Sequence, residues 1–114
     1  MENIVVSCES LGREIRAELI FCGKDASIIV TGGELHHVGS VSVAKNGHIL
    51  GKWVGEGHRD DAVSDKFAIL VSKLTGNTVS VTCGIHYDGI SYAEIQEVLR
   101  ASESLLDDIL AKLQ

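Results

Sequence analysis

Apolar and polar residues alternate through the first part of the chain. In Arg13–Cys22, Ile15, Ala17, Leu19 and Phe21 alternate with Arg16 and Glu18, the period-two pattern that puts one face of a strand inward. A shorter β-rich run at 4–7 precedes it. Gly23, Lys24 and Asp25 give a turn signal, and in 27–31 the uninterrupted Ile28, Ile29 and Val30 predict a strand covered on both faces. These three runs read as a meander.

Residues 38–45 carry Val41 and Val43 on one parity and Ser40 and Ser42 on the other, and Asn46-Gly47 follows. Asn-Gly between two β runs is a strong hairpin signal, because a type I′ turn needs positive φ at both positions. His48–Val54 is therefore expected to return antiparallel. After Gly55, Glu56 and Gly57, either Asp60 or Asp61 can cap a helix whose Val63, Phe67, Leu70, Val71 and Leu74 share one face. Gly76 and Asn77 end it, and 78–85 forms a last strand. Ser91 with Glu94 is a capping-box pattern opening a final helix striped with Ile95, Val98, Leu99, Leu105, Leu106, Ile109, Leu110 and Leu113. A coiled coil is the alternative for that helix, weakened by Ser102 and the lack of a strict heptad. The order β-β-β-β-β-α-β-α predicts a single α+β domain over 1–114, with a largely antiparallel sheet and two helices packed on one side.

Composition refines this picture. Of 114 residues, 45% are apolar and 4% aromatic, so the core is expected to be aliphatic, with Trp53 and Phe67 as its few large fillers. A net charge of −6 with scattered Lys and Arg argues against a nucleic-acid partner. No run reaches the roughly 20 apolar residues that cross a bilayer. Cys8, Cys22 and Cys83 show no CxxC pairing, and with no signal-peptide pattern they suggest reduced thiols in the cytoplasm.

Topology then gathers the candidate chemistry. If the Asn46-Gly47 hairpin forms, the start of its first strand and the end of its second share one sheet edge, bringing His36 and His37 near His58. If the strand, helix and strand from His48 to residue 85 form a crossover unit, His86 and Asp88 join the same edge. His48 is left at the opposite end. Imidazoles are common transition-metal ligands, so His37, His58 and His86 are the candidate set, with Asp61 or Asp88 supplying an oxygen or orienting a ring. Asp60 and Asp61 read first as helix caps.

Glycines at 32, 33, 39, 55, 57, 84 and 89 are turn and bulge residues that would also let a ligand approach the backbone. Glu56, Asp60 and Asp61 would repel a bare anion, whereas a metal would reverse that sign and let a phosphate bind. Arg59 is the nearby fixed positive charge. HExxH, GxSxG, GxxxxGK[ST] and GxGxxG patterns are missing, and Cys83, on an apolar strand, reads as a packed core thiol.

Three segments carry a family resemblance: GGELHHVGSVSVA, with His37, Val38 and Gly39; His58-Arg59-Asp60-Asp61 entering a helix; and CGIHYDGI, with His86 and Asp88. Here the chain resembles the LpdD-like prenylated-flavin chaperones, the small D subunits of gallate-type decarboxylase operons. The resemblance implies a non-catalytic, metal-dependent protein that binds prenylated FMN or FMN and assists maturation of a prenylated-flavin-dependent (UbiD-type) decarboxylase. It also implies a homodimer with its ligand site near the interface. On matching positions it implies a divalent metal at His37, His58, His86 and Asp61, and cofactor contacts from Gly39, Arg59, Gly84 and Asp88. His36 beside His37 leaves that ligand open between the two, and Arg59 stands where lysine is expected. Val38, Ile85 and Ile90, with Trp53 or Tyr87, are expected to line an apolar surface for the ring. A metal-dependent hydrolase or lyase using the same histidines, and an assembly module acting through the leucine-rich helix, are the alternatives.

Overall fold

Paired left-handed residues make the tightest reversals in the chain: Leu11 and Gly12 (φ 53° and 76°), and Asn46 and Gly47 (φ 51° and 81°). Each joins two antiparallel strands whose right-handed twist such a turn matches. The computed structural model describes residues 2–57 and 59–114. It contains β1 (Ile4–Ser10), β2 (Arg13–Cys22), β3 (Asp25–Gly33), β4 (Ser40–Lys45), β5 (His48–Val54), α1 (Asp61–Thr75), β6 (Thr78–His86) and α2 (Tyr92–Leu113). This is the expected α+β order, and it forms one six-stranded sheet in the order β1-β2-β3-β6-β4-β5.

β6 slots between β3 and β4, parallel to the first and antiparallel to the second. The expected crossover from β5 to β6 therefore spans an intervening strand. Because β4 is antiparallel to both β5 and β6, the C-terminal ends of β3, β5 and β6 and the start of β4 still share one edge. That edge carries the histidine segments, apart from His58, which lies outside the described residues.

Both helices cover the same face of the sheet. Ile15, Ala17 and Leu19 of β2, Ile28 and Val30 of β3, and Val79, Val81 and Cys83 of β6 are fully buried beneath Phe67 and Val71 of α1 and Leu105, Leu106 and Ile109 of α2. Each fully buried Leu, Ile or Phe contributes about 1.5–3 kcal/mol. The capping box forms as read: Glu94 N–H donates to Ser91 Oγ (3.2 Å), and Ser91 N–H donates to Glu94 Oε1 (3.0 Å). Among the described residues no helix is long and apolar enough to cross a membrane.

Two packing expectations are corrected. Trp53 is 54% exposed on the edge strand β5 and is no core filler, because neither helix extends over that edge residue's face. Ile29 is 42% exposed: the second face of β3 has no layer over it within one chain. In β4 the serines, and not the valines, face the helix. Ser40 and Ser42 are buried, with hydroxyls 2.8 and 2.7 Å from Ser64 Oγ of α1. Ser42 donates to Asp65 Oδ1 (2.6 Å). Since each hydroxyl has one proton, the chain runs Ser40 to Ser64 to Ser42 to Asp65, and Lys52 Nζ closes it at 3.0 Å. α1 is thus held to β4 by a satisfied polar seam.

Candidate functional site

The 34–39 loop leaves β3 and must pass the end of β6 to enter β4. It is stitched down on the way: Glu34 N–H donates to His86 O (2.7 Å), and Gly39 N–H donates to Cys83 O (2.9 Å). Gly39 O in turn accepts from Gly55 N–H (2.8 Å) at the end of β5. The pass is so close that a Cβ on Gly84 would coincide with the His37 carbonyl, and one on Gly39 would strike the Asp60 carboxylate. The space expected to admit a ligand to these two backbones is filled by protein, which is why both positions need glycine.

That packing aims His37 across the edge. Its Nε2 lies 3.3 Å from Asp60 Oδ2, and its Nδ1 lies 3.3 Å from Leu35 O. Both ring nitrogens therefore face oxygen acceptors. A neutral imidazole has only one N–H, so it would turn a lone pair on one of those oxygens. A second proton, or a cation beside the ring, removes that repulsion. His36, by contrast, is exposed, so the geometry selects His37 from the pair.

Asp60 sits at the N-cap position of α1 but does not cap it. Its φ and ψ are already helical (−66° and −15°), and its side chain makes no capping bond. Instead Oδ1 accepts from Ile85 N–H (3.2 Å) and lies 3.9 Å from Cys83 Sγ, while Oδ2 faces His37. One buried carboxylate thereby joins the loop, β6 and the start of α1. Asp61 turns away, to Lys52 Nζ at 3.2 Å. The expected capping role is thus corrected for Asp60, and it is Asp60, not Asp61, whose carboxylate faces His37. Nothing in residue spacing distinguishes two adjacent aspartates. The signal was Gly39, whose bareness leaves room for one of them.

His86 stands edge-on to His37, with ring centroids 6.3 Å apart at 83°. Its Nε2 is 2.8 Å from Asp88 Oδ1. The hydrogen bond from His86 holds the Asp88 carboxyl below its ordinary pKa. Glu34, whose backbone N–H holds His86 O, carried no signal in the sequence. Cys83 is fully buried, and burial, followed by the charge of Asp60, pushes its thiol well above the usual range. It is a packed thiol and no nucleophile. Among the described residues, no three His, Cys, Asp or Glu side chains form a group that could hold a metal ion.

Beside this edge a cleft of about 270 Å³ opens between α1, the 87–91 loop and α2. Arg59 and His86 sit on it with Ile85, Tyr87, Ile90 and Leu99. Val38 and Trp53, also expected against a ring, are not among its lining residues and are exposed elsewhere.

A family model for the prenylated flavin chaperone LpdD-like domain matches residues 9–114. The chain belongs to the LpdD-like prenylated flavin chaperone family. Protein LpdD of Lactiplantibacillus plantarum is 27% identical to it over 111 residues, 93% of this chain and 82% of that protein. The LpdD-like fold also extends beyond the family. A crystal structure of a chaperone complex for yeast 20S proteasome assembly has a chain that superposes with a TM-score of 0.59, at 13% identity, over 99% of this chain and 98% of that one. This second likeness is one of fold alone.

Proposed function

We propose that this LpdD-like chain binds a prenylated flavin through a divalent metal and hands it to a prenylated-flavin-dependent decarboxylase, without itself catalysing a reaction. The observation that carries the metal is His37, with both ring nitrogens on oxygens and Nε2 3.3 Å from Asp60 Oδ2. Two donors about 2.1 Å from one tetrahedral metal lie about 3.4 Å apart. The contact from Nδ1 to a backbone carbonyl is the usual partner of a ligating histidine. His37 and Asp60 would hold the metal, with His58 and His86 as the further imidazoles and Asp60 in the role foreseen for Asp61. When bound, the metal supplies positive charge to an acidic edge, which lets a flavin phosphate bind there. Arg59 adds a fixed charge, and the apolar cleft fits one ring system and not a whole flavin, being smaller than a typical ligand pocket of about 300–1,000 Å³.

The test is metal analysis of protein purified with and without air, followed by titration with FMN and prenylated FMN. His37→Ala and Asp60→Asn should each weaken flavin binding by more than the roughly 10–100-fold that loss of an outer-shell partner of a metal ligand costs. Absence of both metal and flavin affinity in either preparation would sink the reading.

The homodimer fits the open face of the sheet. Across it, the register lines up Val5, Glu18, Ile29, Thr82, Val41 and Trp53, and the one charge in that row is paired with Arg16 at 3.3 Å. Such a charge-poor row suits an interface core. Light scattering should read a dimer, and Ile29→Lys a monomer.

A further inference from the structure

The 86–88 segment, which carries His86 and Asp88, is not held by the sheet alone. Tyr87 between them is 8% exposed and reaches back across the end of β3. There Gly33 makes the room: a Cβ on it would strike the His86 carbonyl and fall 3.1 Å from the Tyr87 ring. Beyond it the Tyr87 hydroxyl donates to Ser10 O at 2.6 Å, a contact 77 residues apart in sequence. Ser10 is the last residue of β1, next to the left-handed Leu11 and Gly12. The same ring forms part of the cleft wall.

We propose that Tyr87 is a positioning residue, which ties the His86 and Asp88 segment to the β1–β2 turn and so fixes the ligand-facing edge of the cleft. This rests on the reading of that edge as the flavin site. Tyr87, one residue past the end of β6, is buried against the core, and Asp88 follows it in a turn. A fixed Tyr87 therefore anchors the backbone from which both neighbours project. The segment beyond His86 has no strand partner of its own, so without this tether its backbone is free to move. The β1–β2 turn, four strands away from β5 in the sheet, thereby becomes part of the site's scaffold.

Tyr87→Phe removes the hydroxyl and leaves the ring. The first readout is backbone amide hydrogen exchange. A net hydrogen bond of about 0.5–1.5 kcal/mol corresponds to roughly 2–12-fold faster exchange, expected at 85–89 while α2 and the centre of β2 keep their rates. The second is FMN titration of metal-loaded protein, expected to weaken by a similar factor. Unchanged exchange at 85–89, or a uniform rise over the whole chain, overturns the tether. Faster local exchange with unaltered FMN affinity overturns the positioning role. A wild-type protein that binds no FMN refutes the site reading, and the exchange result still decides whether Tyr87 holds the segment.

Discussion

Both ends of the sheet carry glycines of positive φ, but only the histidine end adds glycines whose missing Cβ makes room for another chain segment. Away from the edge that carries His37 and His86, the turns at Gly23, Gly47 and Gly76 need glycine for its dihedral, with φ of 63°, 81° and 74°. At Gly23 and Gly76 space is not the issue: a Cβ on Gly23 meets nothing within 4 Å, and one on Gly76 meets only Asn46 Oδ1 at 3.5 Å. At the histidine end, Gly39 and Gly84 lack a positive φ, and their missing Cβ is replaced by Asp60 and by the His37 backbone. The far end is a set of independent short-range turns. The site end is a stack of three chain segments in which each holds the next.

Gly84→Ala should break this comparison most severely. The added methyl has nowhere to go but into the His37 carbonyl, and the neighbour is backbone, which cannot swing aside. The 34–39 loop must lift, losing the bonds from Glu34 and Gly39 to β6. Overpacking of this kind costs about 1–3 kcal/mol and sometimes more, and the two lost hydrogen bonds add about 1 kcal/mol each. Urea unfolding should show a loss of roughly 3–5 kcal/mol, and metal and flavin binding should disappear.

The site end also holds an acid that the far end lacks. The Cys83 thiol is kept protonated first by burial and then by the neighbouring Asp60 charge. Its folded pKa is raised above the unfolded value, so the contribution is fully present below about pH 9 and is lost as pH rises beyond it. There the unfolded chain gives up a proton that the native state keeps. The expected slope is about 1.4 kcal/mol per pH unit, read from urea unfolding between pH 8 and pH 11. Cys83→Ala should be less stable at neutral pH because of the cavity, yet its stability should fall less steeply with alkali. A slope identical to the wild type would mean that Cys83 is not shielded.

The far end was legible in the sequence because its rules are local. Asn46-Gly47 and Gly76-Asn77 each state their geometry within four residues, and at the site end only the Ser91–Glu94 box is as local. Topology carried the reasoning one step further, placing His37 and His86 at one edge and His48 at the other. It could not choose between His36 and His37, or between Asp60 and Asp61, since those choices depend on where the 34–39 loop crosses β6. Alternation in β4 was equally silent on direction: serine and valine parities were plain, but Ser64 and Asp65 on α1 decide that the serines turn inward. Trp53 was misjudged because size and apolarity suggest burial, while alternation turns it, opposite to Lys52, onto the face that the helices do not cover. Ile29 failed differently. An unbroken aliphatic run does ask for cover on both faces, and a single chain supplies one.

The smallest expected effect sharpens the contrast from the other side. In Gly47→Ala the turn would have to hold alanine at φ 81°, and the new methyl would lie 3.2 Å from Lys73 Cβ. The first term costs about 1 kcal/mol. The second asks the turn or α1 to give by a few tenths of an ångström, because Lys73 Cβ is fixed to the helix backbone. Gly47 N–H donates to Ser72 Oγ (2.9 Å), a bond the substitution leaves in place, so the hairpin keeps its anchor on α1. Stability should therefore fall by about 1 kcal/mol, while flavin and metal affinities stay at their wild-type values. β4, with a register shift at Val43 and Ala44, joins this turn to the His37 loop, so a loss of ligand affinity here would require strain to cross the sheet through β4. That outcome would show the two ends to be one mechanical unit, and the division between dihedral glycines and space-making glycines would have to be abandoned.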